Sequence, residues 1–173
     1  MQNIDHDTLA TLAEMGVTII GIAGLVAVFL SKGTLHRIDK VRFIMIVMPA
    51  SWSAIGAYVP IWFFRHLETQ VSVWQWAAGI FAVMLIVGNV ALTRSGYGLR
   101  SPFQSEIRSI VHPLLYWVSM TFFATNIVLI GNNAASWPIQ SNQTIHEIIL
   151  TLMIGQATLQ FASMVLYRPV DSV

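Results

Sequence analysis

Seven residues that can bind or pass a proton or a cation lie within long apolar stretches of this 173-residue chain. They are one carboxylate, one imidazole, one hydroxyl and four carboxamides: Glu14, Asn89, His112, Ser119, Asn126, Gln156 and Gln160. Ionisable groups are costly in hydrocarbon, and where they occur they usually face a protein interior or a wet cavity. The seven residues therefore form the candidate site, and its chemistry is that of a proton or ion path.

The spacing of these residues arranges them by helix face and by depth. His112, Ser119 and Asn126 are seven residues apart, so successive members fall within about 20° of one line on a helix. If the chain begins outside the membrane, Glu14 and Asn126 lie in the outer half and His112 lies toward the cytoplasm. The plainer alternative is that the polar side chains only join the helices, since interhelical hydrogen bonds contribute about 0.6 kcal/mol each.

Glu14 has two explanations. Thr11 and Glu14 have the T-x-x-E spacing of a capping box, in which the threonine caps the helix and the glutamate bonds back to the cap N–H. Glu14 would then lie in the first helical turn, where the helix dipole favours a carboxylate. If the helix instead begins between Asp5 and Thr8, Glu14 lies deeper, on a face with small residues such as Gly21 that permit close packing. In that case we expect Glu14 to face protein rather than lipid.

Three histidines are placed near loop ends on the outer side and are weak candidates for a metal site: His6, His66 and His146. Imidazole and carboxylate groups together can bind zinc, copper or nickel, but these histidines form no i,i+4 pair. The chain has no cysteine, and nothing in it resembles an HExxH pair, a phosphate-binding glycine loop or a Ser-His-Asp set. We therefore expect no metal and no cofactor, and an enzyme is not favoured.

The composition indicates a membrane protein. Hydrophobic residues make up 55% of the chain and charged residues only 10%, whereas a soluble domain has about 25% charged residues. A domain of this size cannot hide so much apolar surface in one small core, so we expect a lipid bilayer around it. The net charge of +1 gives no field that would favour binding to nucleic acid.

Five stretches are long enough for a helix to cross a hydrocarbon core of about 30 Å, which needs about 20 residues. The predicted spans are 9–30, 43–64, 73–92, 110–130 and 147–166. Lys and Arg are enriched in cytoplasmic loops, and an outside N-terminus with five crossings puts eight of the nine Lys and Arg residues in the cytoplasm. The sequence thus predicts an all-α integral membrane protein, a bundle of five transmembrane helices with a cytoplasmic C-terminus.

The fifth span is the weakest because it carries two glutamines. In a four-span alternative this segment lies on the surface, but Arg168 is then left outside. Two helix starts are also predicted, from a Thr34 cap before the second span and a Ser101 cap before the fourth. In the fourth helix we expect Pro113 to cause a bend near the membrane surface.

Three segments carry a family resemblance: LAEMGVTIIGIAGLVAVF in the first span, KVRF at the end of the basic loop, and LQFASMVL near the end of the chain. In these segments the chain resembles a group of small, uncharacterised bacterial inner-membrane proteins whose first helix has LAExG followed by GxxG. The resemblance implies a bacterial cytoplasmic membrane and supplies no catalytic residue.

Two classes of function fit these residues best. The first is a small channel or a protein that translocates protons or ions, and five short helices scarcely enclose a pore alone, so symmetric copies would supply it. The second is a structural or accessory subunit of a larger membrane complex, which binds partner helices or lipid. A third alternative is a quinone- or lipid-modifying enzyme with Glu14 or His112 as acid or base. We expect the first, as a homo-oligomer.

Overall fold

The computed structural model describes residues 6–31, 37–64, 70–94, 113–135 and 143–166, which form five helices and contain no strand. In chain order the helices are α1 (His6–Ser31), α2 (Arg37–Phe64), α3 (Gln70–Arg94), α4 (Pro113–Ala135) and α5 (Gln143–Leu166). The prediction of an all-helical chain is confirmed for the described residues. The proposed caps at Thr34 and Ser101 lie outside them, as does any part of the fourth helix before Pro113.

Three of the described helices contain segments that are long and apolar enough to cross a membrane: His6–Phe29, Arg42–Phe63 and Gln143–Leu166. The apolar part of α3, Val73–Gly88, is shorter. A helix rises 1.5 Å per residue, so each of the three longer segments exceeds the hydrocarbon thickness of about 30 Å. Length and composition therefore indicate a membrane protein.

Successive helices run in opposite directions and share two apolar cores. The core at the upper end, where α1 begins, includes residues from all five helices: Leu9, Ala57, Trp74, Ile130 and Ile145. The core at the lower end is made by three helices: Ala23, Ile46, Ala50, Ala157 and Met164. The starts of α1, α3 and α5 therefore meet the ends of α2 and α4 at the upper end.

α5 is the central helix of the bundle. It packs against each of the other four helices, and its buried residues extend from Ile145 to Met164. A segment that lay apart on the surface would not make these contacts. α5 therefore lies within the bundle rather than apart from it, although this helix carries Gln156, Gln160 and Ser163.

The contact between α2 and α3 is made by aromatic rings that lie on glycines of the opposite helix. A Cβ atom at Gly56 would overlap the Phe81 ring, and a Cβ atom at Gly88 would lie 2.6 Å from the Trp52 ring. Lipid tails are as apolar as these side chains, so close packing, rather than transfer out of water, joins helices in a membrane. The two ring-on-glycine contacts therefore hold α3 against α2.

α1 lies against α2 through small residues. A methyl group at Gly16 would lie 2.6 Å from the Ala50 carbonyl oxygen and 3.2 Å from the Cβ atom of Ala54. The buried side of α1 extends along most of the helix: Leu9, Leu12, Ala13, Ala23 and Ala27. The side of α1 that faces away from α2 is exposed, and its apolar residues are among the most exposed of the described chain: Val17, Leu25, Val28 and Phe29.

Candidate functional site

Glu14 lies within α1 and not at its cap. The helix includes His6, eight residues before Glu14, which places Glu14 about 12 Å along the helix axis from that residue. The Thr11 hydroxyl donates a hydrogen bond to the Asp7 carbonyl oxygen four residues earlier, at 2.8 Å. An N-cap hydroxyl would instead accept a bond from an N–H further along the chain. The capping-box explanation of Thr11 and Glu14 is therefore wrong.

The Glu14 side chain is exposed on the surface of the single chain. Thr18 and Gly21, on the same side of α1, are exposed as well, and a Cβ atom at Gly21 would meet no atom within 4 Å. Within the single chain, Glu14 therefore faces away from the described helices, and the expectation that it faces protein would have to be met by another molecule. The physical reason is that α1 has two faces of small residues, and the face with Gly16 makes the contact with α2.

The polar line predicted on the fourth helix is described only at its last member. Asn126 is buried, and its Oδ1 atom accepts no hydrogen bond from any described residue. The Ser119 side chain and the whole of His112 lie outside the described part of the chain. The same seven-residue spacing continues to Asn133, which is fully buried. The sequence interpretation stopped at Asn126 and missed Asn133, although the spacing alone could have identified it.

On α5 the predicted polar face turns into the bundle. Gln156 and Ser163 are buried and Gln160 is half-buried. Asn89 belongs to α3, but its side chain lies outside what the structure describes. These positions suit side chains that join neighbouring helices, because an inward carboxamide can bond across a helix interface.

The described part of one chain does not bring the candidate residues into a single path. Glu14 lies on the exposed side of α1, whereas Asn126 and Gln156 are buried between other helices. Between the carboxylate and the interior lies the tight contact of Gly16 with α2. A route that includes Glu14 must therefore run along the outside of this bundle, where a second molecule could line it.

His146 lies in the first turn of α5, and its side chain is buried in the upper core, which the sequence did not predict. Its side chain has no exposed surface, and its Nε2 atom lies 3.0 Å from the Gly56 carbonyl oxygen. The imidazole ring packs beside Trp74 at 5.4 Å and Phe81 at 5.5 Å between ring centroids. No period or motif in the sequence indicated this contact between α5 and α2.

Of the other two weak metal candidates, the structure describes only one. His6 is exposed at the start of α1, and His66 lies outside the described residues. Among the described residues, no group of three or more His, Cys, Asp or Glu side chains could hold a metal ion.

Two further polar residues on α2 are buried. The Ser53 hydroxyl donates to the Leu150 carbonyl oxygen at 3.3 Å, and so forms another link between α2 and α5. Arg42 lies within α2 and is buried at the lower end of the bundle. The helix therefore includes this residue, which comes just before the predicted span 43–64.

Comparison with known proteins finds no family model, no curated protein and no solved structure that matches this chain.

Proposed function

We propose that this chain is a small polytopic membrane protein that works as a homo-oligomer and moves protons or ions across a bacterial cytoplasmic membrane. The proposal includes five membrane crossings, an outside N-terminus and a cytoplasmic C-terminus. It is supported by five successive antiparallel helices and by the distribution of Lys and Arg, eight of which then lie on the cytoplasmic side.

The observation that carries the proposal is the exposure of Glu14 within an apolar helix. A charged side chain at the centre of a bilayer costs about 3 kcal/mol on insertion scales, and intramembrane carboxylates usually face protein or water. The described helices of the same chain supply neither to Glu14, because they pack on the opposite side of α1. A second copy, or a water-filled axis between copies, would remove this carboxylate from lipid.

The neighbours of Glu14 suit close contact between copies. Gly21 and Gly24 each have open space where a Cβ atom would lie, so a second α1 helix could approach the backbone there. Symmetric copies packed on this face would place their Glu14 carboxylates around one axis. A ring of carboxylates favours cations over anions in a pore.

The lower half of the same face is apolar. Leu25 and Val28 are 62% and 69% exposed in the single chain, and around an axis they would form a narrow hydrophobic segment. Such a constriction can close a pore by excluding water. Such a pore would have an entrance at Glu14 that attracts cations, followed by an apolar gate at Leu25 and Val28.

The second candidate function, an accessory subunit of a larger complex, uses the same exposed face of α1. The apolar side chains beside Glu14, including Val17 and Leu25, would then pack against a foreign helix that offers Glu14 a donor. Extraction in mild detergent separates the two functions. A homo-oligomer agrees with the proposal, whereas a stoichiometric foreign partner replaces it by the accessory function.

Ion and proton flux into liposomes that contain the purified chain tests the proposal. We expect a flux that Glu14→Gln reduces at least tenfold, since the variant keeps the size of the side chain and removes its charge. Glu147→Gln is the matched control, because Glu147 is a half-buried carboxylate on α5 that accepts a hydrogen bond from Gln143. Equal flux in the wild type and Glu14→Gln would exclude Glu14, and no flux under any gradient would exclude transport.

A further inference from the structure

α2 contains a proline close to its C-terminal end. Pro60 lies in the helix four residues after Gly56, and in an α-helix the carbonyl of residue i accepts a bond from the N–H of residue i+4. Proline has no N–H, so the Gly56 carbonyl oxygen cannot receive its normal helical hydrogen bond. A buried carbonyl without a donor costs free energy, and Gly56 is buried.

The His146 side chain lies beside the Gly56 carbonyl oxygen and can replace the missing N–H donor. Its Nε2 atom is 3.0 Å from the Gly56 oxygen, and a carbonyl oxygen can only accept, so the proton of this bond belongs to Nε2. The Nδ1 atom is buried and has no hydrogen-bond partner among the described residues. An N–H at that position would have nothing to donate to, so the geometry favours the neutral ring with its only proton on Nε2.

The surroundings hold the imidazole in this place. Trp74 and Phe81, both on α3, lie beside the ring. Phe81 also lies on Gly56, where a Cβ atom would overlap its ring. The absence of a side chain at Gly56 thus leaves room for Phe81 beside the carbonyl that His146 reaches. Residues of α2, α3 and α5 therefore meet around Gly56.

We infer that Pro60 and His146 act together. Pro60 removes the helical donor to the Gly56 carbonyl oxygen of α2, and the His146 imidazole of α5 donates to that oxygen instead. We call this pair a latch between α2 and α5. The last turn of α2 is held by a donor from α5 in place of a donor from α2 itself, so a shift of α5 along α2 releases the Gly56 carbonyl and loosens that turn. The inference does not depend on the proposed transport function.

A double-mutant cycle on the full chain in lipid nanodiscs tests the latch. His146→Phe keeps an aromatic ring and removes the donor, and Pro60→Ala restores the N–H that Gly56 lacks. We expect His146→Phe to lower the unfolding midpoint in the Pro60 chain, and we expect this loss to shrink to about half or less in the Pro60→Ala chain, because coupled residues are non-additive. Equal losses in the two chains would overturn the latch.

Nuclear magnetic resonance of the wild type provides a second test that needs no variant to fold. Gly56-Ala57 is the one Gly-Ala pair in the sequence, so ¹³C-carbonyl glycine with ¹⁵N-alanine marks the Gly56 carbonyl alone. With ¹⁵N-histidine added, we expect one imidazole with a protonated Nε2, an unprotonated Nδ1 and a correlation to that carbonyl. An unprotonated Nε2, or a Gly56 carbonyl that contacts no imidazole, would overturn the inference.

Discussion

The Phe81 ring of α3 lies directly against the backbone of Gly56 in α2, in the space that a side chain at Gly56 would fill. The same ring packs beside the imidazole of His146 at 5.5 Å between centroids. One aromatic side chain therefore joins α2, α3 and α5 at the upper end. Because Gly56 has no side chain, the Phe81 ring can pack there, and any larger residue at this position would lower the stability of the bundle.

Gly56→Ala should destabilise the bundle by about 1–3 kcal/mol, the usual cost of forcing an extra methyl group into a packed interior. The unfolding midpoint in mixed detergent micelles measures the effect. Gly79→Ala is the control on α3, because a Cβ atom there would meet nothing within 4 Å; it should leave stability unchanged or raise it by up to about 1 kcal/mol. Equal effects of the two substitutions would contradict the packing at Gly56.

Gly16→Ala should weaken the contact of α1 with α2. The obstacle to a methyl group is the Ala50 carbonyl oxygen at 2.6 Å, and a backbone atom cannot turn aside as a flexible side chain can. We expect a loss of about 1–3 kcal/mol in unfolding free energy. Gly131→Ala on α4 serves as the control, because Gly131 has open space around it and lies outside the proposed contact between copies. A Gly16→Ala chain as stable as Gly131→Ala would show that α1 does not approach α2 so closely.

The positions of the helices could be predicted from the sequence because apolar length is a strong signal. Every predicted span overlaps a described helix, and an apolar run long enough to cross a bilayer has few other stable forms. The order of packing could not be predicted in the same way. The polar residues of α5 left a surface position open as an alternative, yet Gln156 and Ser163 are buried because α5 lies among the other helices.

The orientation of Glu14 and the role of His146 could not be predicted from the sequence and became visible only in the folded structure. The sequence shows two faces of small residues on α1, and only packing decides that Gly16 rather than Gly21 meets α2. The hydrogen bond from His146 to Gly56 joins residues 90 positions apart, and the local periodicity of a sequence cannot predict a contact over such a separation. Pro60 did carry a signal, since a proline inside a helix always leaves a carbonyl that needs another donor.

Disulfide formation between copies can test the proposed interface, because the chain has no cysteine of its own. Thr18→Cys lies on the exposed face of α1, and oxidation in native membranes should give a dimer of this chain on a non-reducing gel. Ala23→Cys, which is fully buried against the lower core, should remain monomeric as the control. A Thr18→Cys chain without self-adducts would contradict α1 contact between copies, and a foreign adduct would favour the accessory function.

Reporter fusions at the two termini test the proposed topology, on which the assignment of Glu14 to the outer half depends. Five crossings place the N-terminus outside and the C-terminus in the cytoplasm, so a reporter active only outside should work at the first position alone. Lys32, Arg37 and Lys40 should hold the first loop inside, since Lys and Arg near short loops set orientation. Replacing these three by glutamine should give chains of mixed orientation, whereas Arg65→Gln, on the outer side, should change nothing. Two reporters active in the same compartment would contradict an odd number of crossings.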